Sequence, residues 1–183
     1  STLTSVNNLA GLLDSKGEYE EAEPLYHRAL EAFERTLGPE HPDTLTSVSG
    51  LASLLKSKGE YEQAEPLFRR ALEAREHTLG PEHPDTLTSV NNLALLLKSK
   101  GEYEEAESLH RRALECSERT LGPEQTHTAV YKFGLWQCRH QMGETEIPVD
   151  ELRKAIQIIA QEDDHDHSST IATDDVIHDL LNE

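Results

Sequence analysis

The sequence predicts an all-helical fold built from repeated pairs of helices. The first observation is repetition: the stretch LGPEHPDTLTSV occurs at 37–48 and again at 79–90, and residues 44–85 and 86–127 are identical at 30 of 42 positions. The second is spacing, because apolar residues recur at intervals of three and four and no segment shows the alternation of a strand. Self-similarity at this period is typical of a stacked helical solenoid.

Four copies of the repeat follow one another along a predicted repeat domain, 1–161. Their boundaries are 2–43, 44–85, 86–127 and 128–161, and the last copy is divergent. Because the chain begins inside a repeat, we expect it to be a piece of a longer protein.

Residues 162–183 form an acidic segment after the last copy. It contains eight acidic residues and no lysine or arginine, and we predict a linker followed by a helix from about Thr173 that caps the array. A disordered tail and a tail that occupies a ligand groove are the alternatives.

Each regular copy predicts two helices joined by a glycine turn. In the second copy Asp43 is expected to cap the first helix, which ends at Gly59, and the second helix runs from about Tyr61 to Thr78. Pro66 falls inside that second helix. The side chains expected to face the core include Val48, Leu51, Ala52, Leu55, Ala64, Phe68, Ala71 and Ala74.

The repeated stretch LGPEHPDTLTSV separates one helical pair from the next. Its glycine and proline end a helix, and Asp85 is expected to cap the following one, as Asp43 does. His41 and His83 are then turn residues rather than catalytic groups.

Composition excludes several classes of function. A formal net charge of -18 argues against binding nucleic acid or an anionic membrane surface. The longest apolar run, Leu93 to Leu97, is far shorter than the roughly 20 residues of a membrane span. Two cysteines do not make a disulfide framework, so we expect a reducing, cytoplasmic location.

The pattern of small and bulky residues resembles the tetratricopeptide repeat. The first copy carries it at Val6, Leu9, Ala10, Leu13, Ala22, Tyr26 and Ala29. HEAT and armadillo repeats have a similar period, but the small residues favour the tetratricopeptide type. The longer 42-residue form, with NNLA, GEYEEAEPLY and LGPEHPD, resembles kinesin light chain repeats. The resemblance implies a right-handed superhelical solenoid of three regular repeats, one divergent repeat and a C-terminal helix.

The fourth copy departs from this pattern at three positions. Trp136 stands where alanine is expected, Arg139 takes a core leucine slot and Pro148 takes another small slot. We therefore interpret 128–161 as a divergent terminal pair whose helices are splayed by the indole.

The resemblance implies that ligands bind on the concave face formed by the first helices. Amide side chains on this face can both donate to and accept from a peptide backbone, and two lysines would attract an acidic peptide, whereas Asp14 would repel it. In the second copy Ser49 and Gly50 interrupt the series of paired asparagines. The candidate peptide-binding residues are Asn7, Asn8, Ser49, Lys56, Asn91, Asn92, Leu95 and Lys98. A merely solvated polar face is the alternative.

Catalytic and metal-binding patterns are weak. The tract Asp164-His165-Asp166-His167 has suitable metal ligands, but we expect it to be solvated, and we predict no cofactor. Cys116 and Cys138 are expected to be small buried hydrophobes. The leading hypothesis is a non-enzymatic scaffold whose groove captures a linear segment of a partner protein. The alternative is a self-assembly module in which the ends of the solenoid stack into oligomers.

Overall fold

The computed structural model describes residues 2–144 and 148–162, with side chains as far as residue 159. Within these ranges the chain forms eight α-helices and no strand, which confirms the predicted fold class. The helices are α1 (Thr2–Ser15), α2 (Tyr19–Leu37), α3 (Pro42–Ser57), α4 (Tyr61–Leu79), α5 (Pro84–Lys100), α6 (Tyr103–Thr120), α7 (Thr126–Gln141) and α8 (Val149–Glu162).

The chain divides into two compact units, Ser1–Leu96 and Leu97–Glu183, and the boundary falls within α5. In unit 1, α1 packs against α2, α2 against α3, and α3 against α4. In unit 2, α6 packs against α7 and α7 against α8. The alanines that the repeat pattern places in small slots are fully buried in both units: Ala10, Ala22, Ala29, Ala52, Ala64, Ala71, Ala94, Ala106 and Ala113.

A threonine hydroxyl connects the start of α3, α5 and α7 to the end of the preceding helix by a hydrogen bond. The hydroxyls of Thr44, Thr86 and Thr128 each donate a hydrogen bond of 2.8 Å to a glycine carbonyl six residues earlier. These glycines end the preceding second helices, and Gly38 and Gly80 have positive φ angles of 93° and 91° that disfavour other residues. The repeated stretch is therefore a structural junction, as its composition predicts.

The predicted helix cap at the junction was wrong by two residues. Because α3 begins at Pro42, Asp43 lies in its first turn, and the N-cap is His41, whose Nδ1 accepts from the Asp43 N–H at 3.2 Å. His83 and Asp85 form the same bond at 3.2 Å. Proline has no N–H and a fixed φ angle, so it is favoured at the first helical position, and capping passes to the residue before it.

The divergent fourth copy has its own apolar cluster between α7 and α8. It consists of Ala129, Phe133, Trp136, Leu152, Ala155, Ile156 and Ile159. Arg139, in the leucine slot, is half-exposed and forms an ion pair with Glu107 of α6 at 2.9 Å. Although burial raises the pKa of Glu107, hydrogen bonds from Arg139 and Arg111 bring it below its ordinary value. The ion pair with Glu107 therefore stabilises the charge of Arg139 at a position that leucine holds in the regular copies.

Two further predictions concern helix interiors and the C-terminus. Pro66 lies inside α4, as predicted, Pro24 lies at the same position of α2, and both are exposed. The α8 helix ends at Glu162, one residue past the predicted repeat boundary. The helix predicted from Thr173 lies outside the described residues.

Candidate peptide-binding surface

The predicted peptide-binding residues lie on the first helices of their repeats. Asn8 is exposed and the other seven are partly exposed. Those in unit 1 are Asn7 and Asn8 on α1, Ser49 and Lys56 on α3, and Asn91, Asn92 and Leu95 on α5; Lys98, on the last turn of α5, belongs to unit 2.

Asn7 and Ser49 already form hydrogen bonds within unit 1. The Ser47 hydroxyl donates to Asn7 Oδ1 at 2.7 Å, which links α1 to α3 across 40 positions of sequence. The Ser49 hydroxyl donates to the Leu45 carbonyl at 2.9 Å, one turn earlier in α3. Asn7 and Ser49 therefore contribute to the repeat structure, and a ligand would have to compete with these bonds.

The gap in the asparagine series at Gly50 is filled by an aromatic ring. A Cβ at residue 50 would lie 2.5 Å from Cε1 of Tyr26, so the ring packs where a side chain would begin. Burial, and then the charge of Asp14, raises the pKa of Tyr26 to about 12. The packing of Tyr26 on Gly50 was not predicted from the sequence. It could have been recognised because tyrosine in one copy is accompanied by glycine in the next.

Asn91 has an acceptor that none of the described residues satisfies. Its Oδ1 atom is buried and has no hydrogen-bond partner among them. A buried polar atom without a partner costs on the order of 1–3 kcal/mol. An inserted N–H donor from a ligand would remove that cost.

Unit 2 contains a cavity lined by side chains of α5, α6 and α7. Its volume is about 210 Å³, and it is lined by Lys98, Tyr103, Trp136, Gln137, His140 and Gln141. Lys98 Nζ donates a hydrogen bond of 2.6 Å to Gln137 Oε1 across the two first helices α5 and α7. Gln137 and His140 correspond in the 42-residue repeat to Leu95 and Lys98, which are both predicted peptide-binding residues.

The aromatic wall of this cavity results from the divergence of the fourth copy. Trp136 replaces the small residue of the regular copies, and its ring stacks on that of His140 with centroids 5.2 Å apart and an angle of 15°. The Nδ1 atom of His140 is buried without a hydrogen-bond partner among the described residues. The cavity thus combines a cation, an amide and an aromatic face. Of these residues, sequence reasoning singled out only Lys98 as a binding residue.

The fourth-copy residues that correspond to Asn91 and Asn92, which are Phe133 and Gly134, are covered. Phe133 is fully buried in the apolar cluster, and a Cβ on Gly134 would overlap the ring of His110. His110 is itself fully buried, and neither ring nitrogen has a partner among the described residues. Burial, and then the charge of Lys98, lowers the pKa of His110 to about 4. The imidazole is therefore neutral at pH 7.

The parts of the chain that the structure describes hold no group of three or more histidine, cysteine or acidic side chains that could bind a metal ion; the tract 164–167 lies outside them. Cys138 is buried, which raises the pKa of its thiol to about 11, whereas Cys116 is only half-buried. None of the described helices is long and apolar enough to cross a membrane.

Solved structures of similar fold cover nearly the whole chain. The nearly identical TPR-like repeats of a candidate kinesin light chain from Podosopora anserina match with a TM-score of 0.77 at 23% identity, over 99% of this chain and 92% of that one. A second structure of these repeats gives a TM-score of 0.76 at 23% identity, with the same coverage. BtubC (BKLC) from P. vanneervenii gives 0.70 at 24% identity, over 97% and 72% of the two chains.

The comparison of sequences points to the same family. No curated protein matches the chain. The tetratricopeptide repeat model matches three overlapping stretches, 1–77, 47–119 and 85–159, which together span most of the sequence. The chain therefore belongs to the tetratricopeptide repeat family.

Proposed function

We propose that the chain is a protein-interaction scaffold that binds a linear, acidic segment of a partner through the cavity at Lys98. Tetratricopeptide repeats are generally scaffolds for protein–protein interaction. The observation that carries the proposal is the Lys98–Gln137 pair within the cavity of unit 2. The class of ligand is an extended peptide with a carboxylate side chain.

The chemistry of the Lys98–Gln137 pair favours a carboxylate. In the unliganded protein the ammonium of Lys98 donates to a neutral amide oxygen. A carboxylate entering the cavity would replace that oxygen with a charged acceptor, and such bonds are roughly twice as strong as neutral ones. The Gln137 amide, once released, can turn and donate its own N–H groups to the ligand.

The remaining walls favour a peptide over a free ion. The stacked Trp136 and His140 rings offer an apolar face to a side chain, and Tyr103 adds a second aromatic surface.

The test selects ligands from a random-sequence peptide display library with the wild-type chain. We expect acidic peptides to be enriched, and we expect Lys98→Gln to weaken their binding at least tenfold by fluorescence anisotropy. Lys154→Gln, which removes the same charge from an exposed residue of α8, is the matched control and should bind normally. Enriched peptides that bind the Lys98→Gln variant at full affinity would refute the cavity as the site.

A further inference from the structure

We propose that a second cavity, in unit 1, binds a phenyl side chain of a partner protein that carries a lysine or arginine beside it. The cavity lies where the start of α3, the end of α4 and the start of α5 meet, and its volume is about 220 Å³. None of the residues that line it lines the cavity at Lys98, so the two sites can be tested separately.

The walls of this cavity are largely apolar. Pro42, Leu45 and Leu79 line it, and the exposed fraction rises from 2% at Leu45 to 39% at Leu79, so the cavity extends from the core to the surface. Thr46 and Thr78 also line it, but each hydroxyl donates to a carbonyl four residues earlier in its own helix, at 2.9 and 2.7 Å. Because these hydroxyl protons are already engaged, the cavity fits an apolar group better than a polar one.

The size of the cavity is sufficient for an aromatic ring. An engineered apolar cavity of about 150 Å³ in another protein binds benzene. The cavity of unit 1 is larger than this, at about 220 Å³. A phenyl ring can therefore enter it without displacement of the helices.

Arg75 distinguishes the second copy from the first at this cavity. It stands at the position of Phe33, which is 3% exposed in α2. The first copy thus buries a phenyl ring at this position of the helical pair, whereas the half-buried Arg75 extends its guanidinium to Ser89 Oγ at 2.6 Å. A ring from a ligand would supply in the second copy what Phe33 supplies in the first.

The guanidinium of Arg75 favours an aromatic ligand over an aliphatic one. A guanidinium is attracted to the face of an aromatic ring, and the attraction is stronger where the cation is removed from water. Burial lowers the pKa of Arg75, although the charge of Asp85 opposes this change, so the guanidinium is partly desolvated. A leucine side chain would fill the same space without this attraction.

Two carboxylates at the cavity determine the charge that the ligand should carry. Glu40 and Asp85 are both exposed, and Arg75 is the one arginine or lysine among the lining residues. The ion pair of Glu40 is with His77, at 3.5 Å, which carries a charge only when protonated. Two acids and one arginine leave an excess of negative charge, which attracts a basic residue next to the aromatic one.

The C-terminal segment 163–183 does not have the chemistry of this ligand. It contains seven acidic residues, no lysine or arginine, and no phenylalanine, tyrosine or tryptophan. The carboxylates at the cavity would repel it, and it has no ring to insert. The expected occupant is therefore a segment of a partner protein.

NMR titration of the full chain with three tripeptides, each acetylated and amidated, tests the proposal. The signals to follow are the backbone amides of Thr46, Thr78 and Leu79, which report on this cavity and not on the one at Lys98. We expect Lys-Phe-Lys to bind at least fivefold more tightly than Lys-Leu-Lys, which lacks the ring. Glu-Phe-Glu, which reverses the charge, should also bind more weakly than Lys-Phe-Lys.

Three variants separate the contributions of space and charge. Arg75→Phe introduces the residue of the first copy into the cavity and should abolish the binding of Lys-Phe-Lys while leaving the circular dichroism spectrum unchanged. Arg75→Gln removes the cation but keeps the space, so it should abolish the preference for phenylalanine over leucine. Arg69→Gln, a change at an exposed arginine of the same helix, is the matched control and should bind like the wild type.

Each contrary outcome overturns a defined part of the proposal. Equal affinity for Lys-Phe-Lys and Lys-Leu-Lys would refute the aromatic ligand, and preferred binding of Glu-Phe-Glu at these amides would refute the basic neighbour. Absence of shifts at the three amides, or unchanged binding by Arg75→Phe, would refute the cavity as the site. If Arg75→Phe does not fold, Arg75→Gln still decides, because a preference for phenylalanine that survives the loss of the guanidinium contradicts its assigned role.

Discussion

His110 is a titratable residue at a core position that is held in the other regular repeats by Tyr26 and Phe68. It is fully buried, and Lys98 lies near enough to disfavour its protonation. The folded protein therefore binds the proton with a pKa of about 4, compared with an ordinary value of 6.5. Between these two values the unfolded chain is protonated and the folded chain is not.

The first prediction follows from the sign of that difference. Stability due to a neutral His110 should be complete above about pH 6.5 and should fall as the pH drops toward 4, by about 3 kcal/mol in total. Urea unfolding at pH 7 and pH 4.5 should show a smaller loss for His110→Phe than for the wild type. His127→Gln, a change at an exposed histidine of α7, is the control, and its loss of stability between pH 7 and pH 4.5 should equal that of the wild type. Equal acid sensitivity in wild type and His110→Phe would contradict the assignment.

The second residue-scale prediction concerns Gly50 beneath the Tyr26 ring. Gly50→Asn would restore the paired asparagines of the other copies, but its Cβ would meet the ring at 2.5 Å. Overpacking of this kind costs about 1–3 kcal/mol. The double variant Tyr26→Phe/Gly50→Asn reproduces the Phe68 and Asn92 combination that unit 1 already contains, so it should recover part of the loss. Urea unfolding of both variants measures these changes. A Gly50→Asn variant as stable as the wild type would mean that the Tyr26 ring can move aside without loss of stability.

At the scale of the element, the junction residues determine where each first helix begins. The N-cap of α3 is His41, whereas the equivalent Gln125 of α7 makes no side-chain capping bond. Thr126 also replaces the proline that follows the histidine at the two earlier junctions, and α7 begins at this threonine. The proline and the capping bond are therefore both lost at the junction before α7.

The third prediction compares the two caps. His41→Ala removes the acceptor for the Asp43 N–H and should destabilise the protein by about 0.5–2 kcal/mol, the usual cost of losing a cap. Gln125→Ala removes no capping bond and should change the free energy of unfolding by less than about 0.5 kcal/mol, as surface substitutions do. Thermal unfolding of the two variants at pH 7 is the measurement. Similar losses in both would show that the His41 bond does not stabilise α3.

At the scale of the whole molecule, the open question is whether the acidic C-terminal segment caps the end of the array at α8. The net charge is -18, and residues 163–183 contribute seven acidic residues and no lysine or arginine. Leu152, Ala155, Ile156 and Ile159 of α8 are already buried against α7, although Val149 at the start of α8 is exposed. Because most of the apolar face of α8 is already covered, we expect a cap to add little stability.

The fourth prediction is that truncation after Glu162 leaves the folded repeats intact. The unfolding temperature should change by less than about 2 °C, since a loss of 1 kcal/mol would shift it by roughly 2–4 °C in a chain of this size. Calorimetry measures this directly. A clearly lower unfolding temperature would restore the predicted cap, and tighter peptide binding at unchanged stability would show that the tail competes for the ligand site.

The sequence by itself determined the helices, their order and their buried faces. Glycine, proline and apolar spacing act within a few residues, so their effects can be recognised without knowing the fold. The buried alanines, the glycine turns and the interior prolines all follow from such local signals. The capping error arose at the same scale, because proline and aspartate compete for the helix start and proline has the stronger preference for the first position.

Only the tertiary structure decided which polar side chains are engaged with other repeats. Asn7 bonds Ser47 across 40 positions, and Lys98 bonds Gln137 across 39, so each contact depends on how one repeat stacks on another. The cavity beside Trp136 and the burial of His110 over Gly134 likewise depend on the sizes of residues in different copies. A periodic pattern assigns residues to a face, but whether a side chain on that face remains accessible depends on packing between residues that are far apart in sequence.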